Sequence, residues 1–255
     1  MNSARLVGGR RRRGAAVLVG VLLFAGFTAL GVWQLQRLAW KLDLIARVDA
    51  HVLAPPAAPP GPQTWPRVTA MGDEYRHVRV SGTYDNASET LVQAVTEAGP
   101  GFWVMTPFRA DAGDTILINR GFVPQEKSAQ GSRSAGLIMA RTTVTGLLRM
   151  SEPHGGFLRA NQPAAQRWYS RDVAEIAKAR GLAKVVPYFI DADGTPNAGG
   201  WPRGGLTVIR FPNSHLVYAL TWFGLAGMVV AWGVWPAVQA RASGAARVPT
   251  HGPQS

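Results

Sequence analysis

A histidine and several aromatic residues recur at helical spacing where the second of two apolar runs begins. Residues at i, i+3, i+4 and i+7 share one helix face, and here that face would carry His215, Tyr218, Ala219 and Trp222. A second group lies at the end of the first apolar run: Trp33, Gln34, Arg37 and Lys41. One imidazole, two cations and several large rings would suit an iron porphyrin. Imidazole is an axial ligand of haem iron, cations can pair with propionates, and rings pack against the macrocycle.

The same residues also fit an ordinary membrane interface. Trp and Tyr are enriched at both surfaces of a bilayer, and Arg and Lys anchor to headgroups there. The aromatic residues concerned are Trp33, Trp40, Tyr218 and Trp222 at one end of the runs and Trp232 and Trp235 at the other. Residue chemistry alone therefore leaves a ligand site and an anchoring belt both open.

Two uncharged apolar runs must position these side chains. Residues 14–36 and 216–240 contain no Lys, Arg, Asp or Glu, and each reaches the roughly 20 residues that a helix needs to cross a bilayer. The runs predict transmembrane helices at residues 14–37 and 215–238. A cleaved signal peptide is the alternative for the first run, but that run is longer than the usual signal core and continues into Trp33 to Arg37 without a small-x-small cleavage site.

Basic residues flank both predicted helices and set their expected orientation. Arg10 to Arg13 precede the first helix, and Arg241 and Arg247 follow the second. By the positive-inside rule, the tails 1–13 and 239–255 are expected in the cytoplasm and residues 38–214 in the periplasm. The short stretch before the first helix leaves no room for a mitochondrial presequence, so a bacterial inner membrane is expected. The net charge of +12 then indicates contact with lipid headgroups rather than with nucleic acid.

The central segment predicts a mostly antiparallel β domain, which makes the whole chain an α+β membrane protein. Residues 54–66 are rich in proline and predict an extended connector that leads away from the membrane. One amphipathic helix is expected between an N-cap at Ser170 and a stop at Gly181. Alternating or β-branched stretches predict the strands: Val78 with Val80, 90–95, 102–108, 115–123, 142–148, 188–190 and 206–211.

Signatures of catalysis are absent from the sequence. It contains no cysteine, no Gly-x-Ser-x-Gly elbow, no His-Glu-x-x-His pair and no phosphate-binding loop, and we therefore expect no enzyme. The remaining histidines predict no site: His77 alternates with strand residues, His154 lies in a turn sequence, His51 adjoins the connector and His251 lies in the tail. Gly121 is expected in a special backbone conformation. Arg120 is either a buried ion-pair partner or a partner-binding residue.

Small residues predict close packing of the two helices. The pairs Ala25 with Ala29 and Gly227 with Ala231 have the small-x-x-x-small spacing that lets helix backbones approach in a bilayer.

Four sequence blocks together resemble the Surfeit locus protein 1 family of cytochrome c oxidase assembly factors. The first block is 30–37 (LGVWQLQR), and the second runs from 101–107 (GFWVMTP) into 119–124 (NRGFVP). The third joins 161–163 (NQP) to 168–173 (WYSRDV), and the fourth is 213–222 (NSHLVYALTW). Phe122 stands where the family often carries Trp.

The resemblance implies help in building the haem-copper oxidase when haem a enters subunit I, with haem A synthase as a further possible partner. For bacterial members it also implies haem a binding through the histidine that matches His215. Two alternatives remain: a scaffold that stabilises a subunit I intermediate without touching haem, and an anchored periplasmic enzyme that uses an unrecognised carboxylate site.

Overall fold

The computed structural model describes residues 3–156, 159–209 and 211–245. Arg247 and His251 lie outside these residues. The helices are α1 Ser3–Leu53, α2 Ala70–Asp73, α3 Val173–Arg180 and α4 His215–Ala245, and the strands are β1 His77–Tyr84, β2 Thr90–Thr96, β3 Gly99–Ala110, β4 Thr115–Pro124, β5 Thr142–Met150 and β6 Val185–Ala192. The chain forms two compact units, one up to Ile45 and from Phe211 onward, the other Ala46–Arg210.

The first unit consists of the two apolar terminal helices. Mean hydropathy reaches 2.4 in Gly14–Leu53 and 1.6 in His215–Pro236, so both helices are long and apolar enough to cross a membrane. α4 begins at the residue predicted for the second helix. α1 continues to Leu53, well beyond residue 37, because no proline interrupts it before Pro55. The membrane boundaries themselves remain predictions.

α1 and α4 pack against each other as an antiparallel pair. On α1 the covered positions recur at intervals of four and three residues, at Phe27, Gly31, Gln34, Leu38 and Lys41. On α4, Ala219 and Ala226 are 1% and 4% exposed. A Cβ at Gly31 would lie 2.6 Å from the Phe223 ring, so glycine is what lets the helices approach here. Gly31, Ala219 and Ala226 are therefore small residues that lie at the contact.

The predicted small-residue pairs do not form this contact. Ala25, Ala29, Gly227 and Ala231 are all exposed in the structure, so that prediction is wrong. The spacing was right for a packed face, but the register of the antiparallel pair turns these four residues outward.

The second unit is built on a six-stranded sheet in the order β1-β5-β6-β4-β3-β2. β3 is long enough to pair with β2 through its first half and with β1 through Phe108 to Ala110. The β1–β3 pairing closes five strands into a barrel and leaves β2 outside the closure. Only the β4–β6 pairing is parallel, so the mostly antiparallel prediction is confirmed for the strands described.

Successive residues of the barrel strands point to opposite sides of the sheet. Ile116 and Ile118 lie in a cluster with Phe108, Tyr188 and Ile190. The intervening side chain points the other way, into a cluster that the barrel shares with α3: Val92, Met105, Leu117, Trp168, Val173, Ile176 and Phe189. α3 thus covers the outer face of the sheet, which buries both sides of β4.

Only the C-terminal end of α3 agrees with the prediction. Gly181 ends the helix with φ +64°, as expected. The N-cap is Asp172, whose side chain accepts the Glu175 N–H, rather than Ser170. Ser170 is instead buried and bonded to Asn161, so a tertiary contact takes the hydroxyl that local sequence assigned to the cap.

Two other predictions of local structure need correction. The proline-rich segment 54–66 is extended only in part, because residues 62–64 form a turn and Trp65–Arg67 form a short 3-10 helix. It packs on the β unit, where Ala57 pairs with Val78 and Pro60 O accepts hydrogen bonds from Trp65 and Tyr188. The strand predicted at 206–211 is absent from the described residues 206–209 and 211.

Candidate functional site

His215 and Gln34 meet at one end of the helix pair. His215 is the first residue of α4, and its Nδ1 lies 2.7 Å from Gln34 Oε1. An amide oxygen can only accept, so in this orientation of the Gln34 amide Nδ1 must carry the proton and donate it. The lone pair of the imidazole is therefore on Nε2, the arrangement typical of metal-binding histidines held by an outer hydrogen bond. Both side chains are half-buried.

The two cations predicted for the site have different surroundings. Lys41 is half-buried, and its Nζ donates a hydrogen bond to Pro212 O, close to the start of α4. Arg37 is exposed, and its guanidinium lies 4.5 Å from the Trp40 ring centroid. Lys41 thus ties the end of the pair together, whereas the charge of Arg37 faces outward.

The predicted aromatic residues divide in the same way. Trp222 is half-buried and stacks on Phe27 with ring centroids 5.8 Å apart. Trp33 and Tyr218 are 52% and 54% exposed. Successive residues are about 100° apart around a helix. Trp33 and Arg37 therefore lie to one side of Gln34 around α1, and Tyr218 lies to the same rotational side of His215 around α4. In an antiparallel pair, this offset puts all three on the same exposed flank.

The structure thus brings His215, Gln34, Lys41, Ala219 and Trp222 to the helix contact and leaves Trp33, Arg37 and Tyr218 on one flank beside it. The described residues contain no group of three or more His, Cys, Asp or Glu side chains that could hold a metal ion. What the helix pair offers is one directed imidazole, a nearby cation and exposed rings. This donor set fits a porphyrin iron, which brings its own four nitrogen ligands.

Residues from two of the other sequence blocks converge on Asp191 in the β unit. Asp191 is 4% exposed. Its carboxylate accepts hydrogen bonds from Asn119 at 2.8 Å, Arg149 at 3.0 Å and Arg171 at 3.1 Å. Arg171 and Arg149 also pair with Glu152 and Glu74. Sequence patterns did not predict this network, although one acid inside the apolar stretch of β6 was a signal for it.

Asn161, from the third block, organises the segment before α3. Its Oδ1 accepts the backbone N–H groups of Tyr169 and Ser170 at 2.7 and 3.1 Å. Its Nδ2 donates to Glu175 at 2.7 Å. The second and third blocks therefore hold the β unit together.

Arg120 and Gly121 have special positions within the second block. Arg120 is 2% exposed and forms no ion pair within the part of the chain that the structure describes, so the ion-pair alternative is wrong. Its Nη2 donates to Gly136 O and Asn197 Oδ1. Gly121 has φ +123°, and a Cβ there would lie 2.0 Å from Arg203 O. This confirms the predicted special backbone.

The described histidines outside the helix pair have structural contacts. His51 and His77 bond through Nδ1 to the backbone oxygens of Glu74 and Ala54. His154 has φ +73°, as expected for a turn.

Comparison with known proteins extends the resemblance seen in the sequence blocks. The model of the SURF1 family matches residues 21–227. Surfeit locus protein 1 of Rattus norvegicus is 38% identical over 222 residues, which cover 80% of this chain and 70% of the relative. The chain belongs to the SURF1 family.

Further relatives support membership of the SURF1 family. Surfeit locus protein 1 of Homo sapiens is 38% identical over 224 residues, covering 80% of this chain and 72% of the relative. The SURF1-like protein of Monosiga brevicollis is 35% identical over 250 residues, covering 92% and 93%. The SURF1 match includes Gln34, His215 and all the predicted site residues.

Proposed function

We propose that this SURF1-family protein is a non-enzymatic, membrane-bound assembly factor for cytochrome c oxidase, which binds haem a through His215 and presents it to subunit I. The hydrogen bond between His215 and Gln34 is the observation that carries the proposal. It fixes the proton on Nδ1 and leaves Nε2 as a directed ligand atom. Family membership supports the oxidase-assembly part of the proposal.

Each surrounding residue has a role toward haem a that follows from its chemistry. Haem a supplies an iron that accepts an axial imidazole and two propionates that attract cations. Arg37 has an exposed guanidinium for a propionate, and Lys41 has ammonium hydrogens beyond the one given to Pro212. Trp33 and Tyr218 offer exposed ring surface, and Trp222 stiffens the adjoining contact through Phe27.

The proposed location is a bacterial inner membrane with both termini in the cytoplasm and the β unit in the periplasm. Large apolar side chains of the helices are exposed, such as Val17 at 66% and Val217 at 65%. Lipid would cover this apolar surface, whose exposure to water along the length of both helices would be unfavourable. The spans proposed remain 14–37 and 215–238, with basic flanks on the cytoplasmic side.

A haem-independent scaffold for a subunit I intermediate is the second candidate. It is favoured by the exposure of Trp33 and Tyr218, which also suits an aromatic belt at a lipid interface. In that case haem A synthase would be no partner, and subunit I would be bound without cargo.

Co-expression with the enzymes of haem A synthesis separates the two functions. The protein is purified in detergent, and its absorption spectrum is recorded with the amount of copurified subunit I. A bound haem a spectrum supports the carrier. A colourless protein that still retains subunit I supports the scaffold and contradicts the carrier.

A further inference from the structure

A small polar cavity lies in the β unit, and all its lining residues fall between Tyr84 and Asn197. Its volume is about 130 Å³. Its lining includes the polar residues Tyr84, Arg120, Thr142, Thr145, Asp193 and Asn197. Thr195 and Pro196 at its wall are exposed, which connects the cavity to solvent.

Arg120 brings a buried positive charge to this cavity. Its side chain lies over the Tyr84 ring, with the guanidinium carbon 4.7 Å from the ring centroid. Nη1 is buried and has no hydrogen-bond partner. A buried charge is costly unless it is paired, and an unused guanidinium donor adds to that cost. The fold thus maintains a guanidinium that forms no ion pair with its natural counterion, a carboxylate, among the described residues, although Asp193 also lines the cavity.

Neighbouring groups do not supply that counterion. Glu89 is engaged by Arg133, which holds both carboxylate oxygens. Burial raises the pKa of Tyr84 to about 12 although Arg120 opposes the shift, so Tyr84 is neutral at physiological pH. Burial also lowers the pKa of Arg120, although Tyr84 and Glu89 oppose the shift. Asp193 is half-buried and accepts the Thr195 N–H at 2.9 Å.

We propose that this cavity is a binding site for one carboxylate group, which pairs with Arg120. A guanidinium is the side chain best suited to a carboxylate. Thr142, Thr145 and Asn197 add hydroxyl and amide donors, and the volume admits a group of the size of acetate. Asp193 would repel the incoming charge, so the affinity is set by the balance between Arg120 and Asp193.

The carboxylate could belong to a free small acid or to an acidic side chain of a partner protein. Thermal unfolding of the full chain in detergent, at pH 7 and constant ionic strength, tests the site. Sodium acetate replaces sodium chloride stepwise, and circular dichroism follows the β unit. A ligand that binds only the folded state raises the midpoint in a saturable manner. We expect that rise with acetate.

Three variants make the test specific to the cavity. Thr145→Leu fills the cavity and should abolish the rise while keeping Arg120. Asp193→Asn keeps an oxygen for Thr195 N–H and removes the repulsion, so its rise should saturate at lower acetate. Thr83→Leu changes an exposed position on β1 outside the cavity and should behave as the parent. An absent rise in the parent, or an unchanged rise in Thr145→Leu, would overturn the site.

The α-amides of N-acetylaspartate and N-acetylglutamate keep the side-chain carboxylate as their only acid group, and they distinguish the two sources. If either raises the midpoint at least as effectively as acetate, the occupant is an acidic side chain of a partner. If acetate alone acts, the occupant is a free small acid.

Discussion

At the scale of single residues, the hydrogen bond between His215 and Gln34 is what would make a histidine at a helix start the directed ligand that we propose for haem iron. The bond fixes the tautomer and the ring orientation, and loss of such an outer partner typically weakens metal binding by about 10–100-fold. Its importance can be tested without haem, because the tautomer of His215 is a property of the protein alone.

Gln34→Leu should weaken haem a retention by about 10–100-fold, whereas Gln34→Glu, which keeps an acceptor, should retain haem. In the haem-free protein, nitrogen-15 NMR of His215 should show the Nδ1–H tautomer in the parent and a mixture of tautomers in Gln34→Leu. A parent-like tautomer together with parent-like haem retention in Gln34→Leu would remove Gln34 from the site.

Arg37 should act through its charge. We expect Arg37→Gln to lower haem occupancy more than Arg37→Lys, because the lysine keeps a positive charge for a propionate although the fork geometry is lost. Haem occupancy is measured at equal membrane abundance, with the exposed Arg47→Gln as a control. Parent-like occupancy in Arg37→Gln would leave Arg37 in an anchoring role only.

At the scale of elements, the close approach of α1 and α4 keeps Gln34 within reach of His215. Gly31→Val should separate the helices and weaken haem binding, because even a Cβ there meets the Phe223 ring. Overpacking of this kind costs about 1–3 kcal/mol. Gly26→Val is the matched control, since no atom lies within 4 Å of a Cβ at Gly26. Haem retention and thermal unfolding in detergent are compared; equal results for both variants would contradict the packing.

Sequence periodicity predicted both terminal helices, the helix α3 and all six described strands, because each depends on local spacing; it also predicted a strand at 206–211 that does not form in the described residues. It missed the β1–β3 closure, which depends on strands far apart in sequence. The small-x-x-x-small spacing also predicted the wrong small residues for the helix contact. Ala25 and Ala29 have the same local pattern as a packed pair, and only the register between α1 and α4 decides which face is covered.

The candidate site shows the same division. His215 was predicted from its position at a helix end among aromatic residues. The specific role of Gln34 could not be predicted, since it depends on contact with a residue at the far end of the chain. Asp191 was missed for a similar reason: its partners Asn119, Arg149 and Arg171 come from separate elements.

At the scale of the whole molecule, charge determines the expected orientation. The basic flanks of the two apolar runs predict cytoplasmic tails and a periplasmic β unit. Reporter fusions at Arg247 and Gln63 should therefore report opposite compartments. Two reporters are used at each position, one active only in the cytoplasm and the other active only in the periplasm. The same compartment at both positions would rule out two spans.

The whole molecule is proposed to carry haem a on His215. The most direct measurement is the haem a absorption spectrum of the parent, His215→Ala and His77→Ala, each purified after co-expression with haem A synthesis. We expect haem a in the parent and in His77→Ala, and a lost or strongly shifted spectrum in His215→Ala at unchanged membrane abundance. Haem a bound by His215→Ala with the parent spectrum, or a parent protein without haem a, would contradict the account.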